Sequence, residues 1–382
     1  MKRMLGVMVS FLMMALVLSG CSSTSDNIKI GVNLELTGPV SVYGIPERKG
    51  MELALAQINE AGGVLGKQIE FIFYDNEYDN AKAVENAIKF ATQDNVVAML
   101  GPATSSPSLA VGAIAKEYEI VNFTPSATAA GVTMDGDVVN PWVYRASFID
   151  PFQGLVVANF ATNDLDATKA VVMYSDSSDY SVGLAESFTE KFEENGGEVV
   201  SNVTYTDVDN DFSAQLTRVV NEDFDVIFVG DYAERGALIV RQAREMGLDV
   251  PILGPDGFDT PDFNDLAGGA DNVNDVYFVN HFSVLLEDPK VVDFIEDYRE
   301  MHGEDPNALS ALAYDAVYML VKAIELADSE DPQAIKEALE SFPKFSGVTG
   351  DVVFDQFNNP VKSAVMIELV NGQHATATIV QP

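Results

Sequence analysis

Two short stretches of this chain concentrate groups that hold anions. Residues 101–107 read Gly-Pro-Ala-Thr-Ser-Ser-Pro and residues 124–128 read Thr-Pro-Ser-Ala-Thr, each after an apolar run that reads as a strand. Ser105 and Ser106 lie in the first stretch, which leads into a helix expected from Pro107. Hydroxyls and backbone N–H groups there would face an anion at the positive end of a helix dipole. Ser126 and Thr128 offer the same chemistry after the next strand. Further along, Tyr180, Tyr232 and Asp256 each lie just after a strand. The first set would grip a carboxylate and Asp256 an ammonium. The plainer reading is that all are turn residues, since Ser, Thr, Gly and Pro dominate turns in any case.

Other chemistry finds little support. His281, His302 and His374 have no second His or Cys at metal-ligand spacing. His302 precedes Gly303 at a helix end, which suits a solvated capping role. Asp207, Asp209 and Asp211 have the spacing that opens a calcium loop, but Phe212 stands where glycine is needed and Arg218 where a bidentate Glu is needed. Asp211 therefore reads as a helix N-cap. The chain has no G-x-S-x-G elbow, P-loop or G-x-G-x-x-G. No enzyme activity, metal or cofactor is expected.

The elements that must position the polar loops alternate. Strands are expected at 28–34, 69–74, 96–100 and 120–123, with helices at 47–61, 80–93 and 107–117 between them. The rhythm restarts with a helix at 152–163 and strands at 170–174, 199–203, 226–229 and 252–253. Helices at 182–194, 212–221 and 234–246 separate those strands. A strand at 276–279 and helices at 291–301, 308–327 and 332–340 follow, then short strands joined by Asn358-Asn359-Pro360 and Asn371-Gly372 turns. This order implies an α/β fold of two units, each a mainly parallel sheet flanked by helices. No Gly/Ser/Pro-rich linker divides them, so the chain is free to cross between units more than once, leaving a cleft for a small ligand at the junction.

The 382 residues suit two domains, and 47% hydrophobic content fills their cores. A formal net charge of -37 repels phosphate backbones and argues against nucleic acid as a partner. With one cysteine, Cys21, no intramolecular disulfide forms. Lys2 and Arg3 precede an apolar run at residues 5–18, too short to span a bilayer but suited to a signal peptide over residues 1–20. Leu18-Ser19-Gly20-Cys21 resembles a bacterial lipobox, which implies a lipid anchor through Cys21 and a polar tether over 21–27.

Several separated segments agree in order with one family. They are Leu36-Thr37-Gly38-Pro39 with Tyr43-Gly44, residues 58–63, Tyr74-Asp75-Asn76, residues 101–106 and 124–128, Tyr180, Gly230-Asp231-Tyr232, Arg241-Gln242-Ala243 and Gly254-Pro255-Asp256-Gly257. On these residues the mature chain resembles the type I periplasmic binding proteins, and among them the leucine/isoleucine/valine-binding proteins of branched-chain amino acid ABC importers. The resemblance implies a two-lobed fold with the ligand cleft between the lobes. Residues 28–146 plus 276–361 would form the first lobe, and 147–275 plus 362–382 the second. It implies a solute carboxylate held by Ser105, with Ser106 as a substitute, by Thr128 and by main-chain N–H groups. The ammonium would be held by Ser126, Thr128 and Asp256, and Tyr43, Tyr180 and Tyr232 would close over the ligand. Two departures stand out: Asp256 replaces a longer Glu, and Ala103 and Thr104 alter the pocket wall, so the aliphatic preference does not carry over. The implied protein is an extracytoplasmic, monomeric, membrane-anchored binding protein that hands an amino acid to ABC permease subunits. A solute-sensing receptor component is the alternative.

Overall fold

A computed structural model describes residues 27–382. The signal segment 1–20, the lipidation candidate Cys21 and the tether to residue 26 lie outside the described residues.

Strand β1 (Ile28–Leu34) buries every residue except the half-buried Lys29. A strand apolar on both faces belongs inside a sheet covered on both sides. It pairs in parallel with β2 (Ile69–Asp75) on one edge and β3 (Ala98–Leu100) on the other. β4 (Val121–Thr124) follows, and after a small ribbon of β5 (Met134–Asp135) and β6 (Val138–Val139) comes β7 (Val143–Arg145). The resulting parallel sheet has the order β2-β1-β3-β4-β7. Helices α1 (Ser41–Glu60), α2 (Asn80–Lys89) and α3 (Ser105–Glu117) make its crossovers.

The pattern repeats after α4 (Asp150–Asn163). β8 (Lys169–Ser175), α5 (Asp179–Glu194), β9 (Glu198–Tyr205), α6 (Ser213–Val219), β10 (Val226–Gly230), α7 (Ala233–Glu245), β11 (Ile252–Gly254), α8 (Phe263–Leu266) and β12 (Val276–Asn280) follow in turn. The chain then returns to the first sheet's flank with α9 (Pro289–His302), α10 (Ala308–Ala327) and α11 (Pro332–Glu340). A three-stranded ribbon of β13 (Phe345–Gly347), β14 (Gly350–Phe354) and β15 (Pro360–Val361) comes next. Finally β16 (Ala364–Val370) and β17 (Gln373–Val380) join the second sheet, whose order is β17-β16-β12-β11-β10-β8-β9. Asn371 and Gly372 both have positive φ in the two-residue loop of that hairpin, as their residue types require. In both sheets the order reverses beside the first strand of the unit, β1 or β8, and such a reversal opens a crevice at the carboxyl ends.

Four expectations need correction. Residues 276–280 do not join the first sheet: β12 pairs with β11 and antiparallel β16, which satisfy both of its edges. The crossing back to α9 comes after Asn280. Helices α1 and α3 begin earlier than expected, at Ser41 and Ser105. Pro107 falls in the first turn of α3, where a missing N–H costs nothing. His302 is half-buried, and its Nε2 lies 3.0 Å from the Lys49 carbonyl, tying α9 to α1, while Gly303 at φ +73° ends the helix. The N-cap of α6 is Phe212; Asp211, just before it, accepts from the Ser213 N–H at 3.0 Å.

The first layer depends on a backbone approach between α1 and α10. A Cβ at Gly50 would lie 2.0 Å from the Ser310 carbonyl oxygen, and neither helix has a flexible side chain there to yield. Gly50→Ala is expected to destabilise the protein by about 3 kcal/mol through overpacking. The check is the midpoint of urea unfolding, which should fall with no change in slope.

Candidate functional site

The loops leaving the strand ends of the two sheets converge on one cavity. It is lined by Tyr43, Ala103, Thr104, Ser105, Ser126, Thr128, Tyr180, Tyr232, Asp256, Gly257 and Leu309. Seven of the eight ligand residues expected from the sequence are in this lining. The eighth, Ser106, is not; its hydroxyl donates to Asp179 across the cleft at 2.9 Å, which makes it a contact between the lobes.

The first-lobe loops are braced from beneath. The Glu35 carboxyl accepts from the Ala103 and Thr104 N–H groups at 3.0 and 3.3 Å and from the Thr104 hydroxyl. Arg145, fully buried, donates to the Ala127 and Ala129 carbonyls at 2.8 and 3.0 Å. Ser105 Oγ accepts from the Ala129 N–H at 3.1 Å, so its own proton remains free to donate into the cavity. Ser126 Oγ lies against both Glu47 Oε1 and the Ala103 carbonyl. One hydroxyl proton cannot serve two acceptors. Burial pushes the Glu47 carboxyl well above its ordinary range. A protonated Glu47 therefore donates to Ser126, which donates to Ala103. The Ser126 hydroxyl is thus turned into the protein.

The aromatic wall is continuous. Tyr232 stacks on Tyr180 with centroids 4.6 Å apart and tilts against Tyr43 at 5.1 Å. Tyr43 Oη donates to the Gly257 carbonyl and accepts from the Ala233 N–H, both at 2.8 Å, so a first-lobe side chain closes two backbone groups of the second. Tyr232 is set in place by Asp231, which accepts from the Tyr232 N–H and pairs bidentately with Arg235 at 2.7 and 2.8 Å. Asp256 receives the Tyr180 hydroxyl on one oxygen at 2.6 Å and approaches His281 Nε2 with the other at 2.9 Å.

Such a cleft offers neutral donors on one side and an acid on the other. A family model described as periplasmic binding protein matches residues 27–373. This chain belongs to that family. Within it, the chain falls among the type I proteins of the branched-chain amino acid group. It is 31% identical over 352 residues to the leucine-, isoleucine-, valine-, threonine- and alanine-binding protein of Pseudomonas aeruginosa, covering 91% of this chain and 92% of that one. The branched-chain amino acid transporter substrate-binding protein LivJ of Streptococcus pneumoniae, in complex with isoleucine, superposes with a TM-score of 0.88 at 38% identity. That match covers 93% of this chain and all of the other. The leucine-binding protein LivK of Thermotoga maritima gives 0.87 at 35% identity, covering 93% and 99%. Members of the family bind solutes outside the cytoplasm and are not enzymes. Among the described residues no helix is long and apolar enough to cross a membrane.

Sequence reasoning missed the buried ionisable groups that hold the family's cleft together here. Glu35, Glu47, Asp150 and His281 are all buried. Only His281 carried a legible signal, being a polar residue directly after a strand, as Asp256 is. Burial pushes the Asp150 carboxyl from 3.8 up to about 8, aided by the nearby Asp256 charge and opposed by Thr128, Arg145 and Gln153. Burial likewise pushes His281 from 6.5 down to about 4, against the pull of Asp256.

These two shifts act in opposite senses on stability. Asp150 binds its proton more tightly when folded, so its contribution is complete below pH 3.8 and is lost as pH rises through about 8. His281 contributes above pH 6.5 and is lost as pH falls through about 4. Asp150→Asn removes only the first. Relative to the wild type, its melting temperature should climb steadily from pH 4 to pH 8 and level off above, as read by thermal melts across that range.

Proposed function

We propose that this chain is the substrate-binding component of an ABC importer and captures a small α-amino acid between its lobes. The observation that carries the reading is the opposition of two chemistries across one small cavity. Ser105, with a free hydroxyl proton, lies on the first lobe, and Asp256 lies on the second. A zwitterion with adjacent carboxylate and ammonium satisfies both sides, and paired charges tolerate burial where single ones do not. Thr128 also lines the cavity. Leu309 and the tyrosines give an apolar wall for the solute's side chain. The relatives' recorded solutes, from alanine to isoleucine, support an aliphatic amino acid.

In this reading the lobes, 28–146 with most of 281–361 and 147–280 with 362–382, close over the solute about their crossings. The closed form then presents itself to membrane permease subunits. The chain works outside the cytoplasm as a monomer, held to the membrane by lipid on Cys21 after removal of residues 1–20.

Titrating the protein with the twenty amino acids and following its melting temperature tests the solute class, since a ligand specific for the folded form raises it by mass action. An aliphatic α-amino acid should give the largest shift. Asp256→Asn should weaken it by at least tenfold, about 1.4 kcal/mol for each factor of ten. A response to carboxylic acids lacking the amine, with none to amino acids, would overturn the assignment. Closure has its own check. Tyr43→Phe removes the hydroxyl that joins the lobes and should cost about tenfold in affinity by calorimetry, seen mainly as faster release.

A further inference from the structure

Strand β12 ends at Asn280, and His281 is the first residue beyond it, one strand over from the end of β11 that carries Asp256. The His281 ring is buried and stacked on Phe148, with centroids 3.5 Å apart and planes 23° from parallel. Its Nε2 lies 2.9 Å from Asp256 Oδ2, and its Nδ1 is buried with no hydrogen-bond partner among the described residues. These contacts assign the tautomer. A proton on Nδ1 would be a buried donor without an acceptor and would leave Nε2 facing a carboxylate that has nothing to donate. The proton therefore sits on Nε2 and points at Asp256. Burial, which holds the imidazole's pKa down to about 4, agrees with a neutral ring.

The other oxygen of Asp256 is held in the same manner. Tyr180 Oη accepts from the Gly257 N–H at 3.0 Å, which turns its own proton toward Asp256 Oδ1 at 2.6 Å. The Asp256 N–H donates to Gln153 Oε1 at 3.0 Å, fixing the main chain. Among the described residues, the one basic side chain at ion-pair distance from Asp256 is this neutral His281. The carboxylate is thus aimed by two neutral donors, one per oxygen, and each oxygen keeps a lone pair for a ligand. A lysine or arginine in the place of His281 would aim it equally well and cancel its charge.

Resting on the amino-acid reading above, we propose that His281 is a positioning residue that holds Asp256 as an oriented, unneutralised carboxylate. By doing so it makes the site choose solutes bearing a primary ammonium over the matching 2-hydroxy acids. The two solutes share the same carboxylate and side chain, so only the Asp256 side of the cavity separates them.

The test is calorimetric titration of the full chain with two matched pairs, L-leucine against L-2-hydroxyisocaproate and L-alanine against L-lactate. The wild type should prefer the amino acid by at least a hundredfold in one pair. His281→Phe keeps an aromatic ring on Phe148 and removes the donor. It should lose at least tenfold for the amino acid and less than twofold for the hydroxy acid, so the ratio collapses. His281→Gln restores an N–H near the position of Nε2 and should recover most of the ratio; His281→Lys should abolish it. If His281→Phe weakens both solutes equally, or if His281→Gln fails to restore the ratio in a folded protein, His281 is merely structural and the proposal falls. Should His281→Phe not fold, the contrast between Gln and Lys decides by the same ratio. A wild type that binds neither amino acid would overturn the amino-acid reading itself, a result distinct from an unchanged ratio in the variants.

Discussion

The cleft loops of this protein pass through a region shielded from water, so their backbone polar groups must find partners inside the protein. The rest of the site follows from that requirement. The turn after β3 gives its N–H groups to Glu35, the turn after β4 gives its carbonyls to Arg145, and the start of α7 gives an N–H to Tyr43. Each partner is itself ionisable or hydroxylic and buried, and each comes from an element remote in sequence. A loop held in this way has little freedom to reorganise when a solute arrives, and rigid donors cost less to order on binding.

Charge is distributed unequally across the cavity as a result. The first lobe presents the Ser105 hydroxyl above supporting acids that are buried, with Glu47 carrying a proton. The second presents Asp256, which no charged base neutralises among the described residues. Asp150 adds a second acid nearby that is pushed toward neutrality by burial, so negative charge concentrates on one group. An arrangement with both carboxyls ionised would repel itself in a medium of low dielectric.

Much of the architecture was legible because it depends on local pattern. Alternating β-branched runs and helical spacings gave the two units, and Asn371-Gly372 announced its hairpin through the positive φ that both residues tolerate. The loops at 101–107 and 124–128 stood out by composition. What could not be read depends on pairing across the fold. β12 looks like any buried strand, and nothing within Val276–Asn280 states that it will meet β16, roughly ninety residues later. Ser106 and Ser105 differ only in which side of one helical turn they occupy, yet one lines the cavity and the other bridges the lobes. Glu47 sits in an amphipathic helix among exposed charges, and its burial against Ser126 follows from how α1 lies across the sheet. His281 was set aside as a metal ligand, and its true neighbour, Asp256, lies 25 residues upstream.

The direction of β1 has a consequence for how such a protein presents itself. The strand enters at Ile28 from the floor of the first lobe and delivers its carboxyl end, Leu34, to the cleft. Its seven residues span about 20 Å at the usual rise of a strand. The start of β1 at Ile28 thus lies on the side of the lobe opposite the cleft. A surface holding the protein by that end would have the first lobe next to it and the cleft on that lobe's far side.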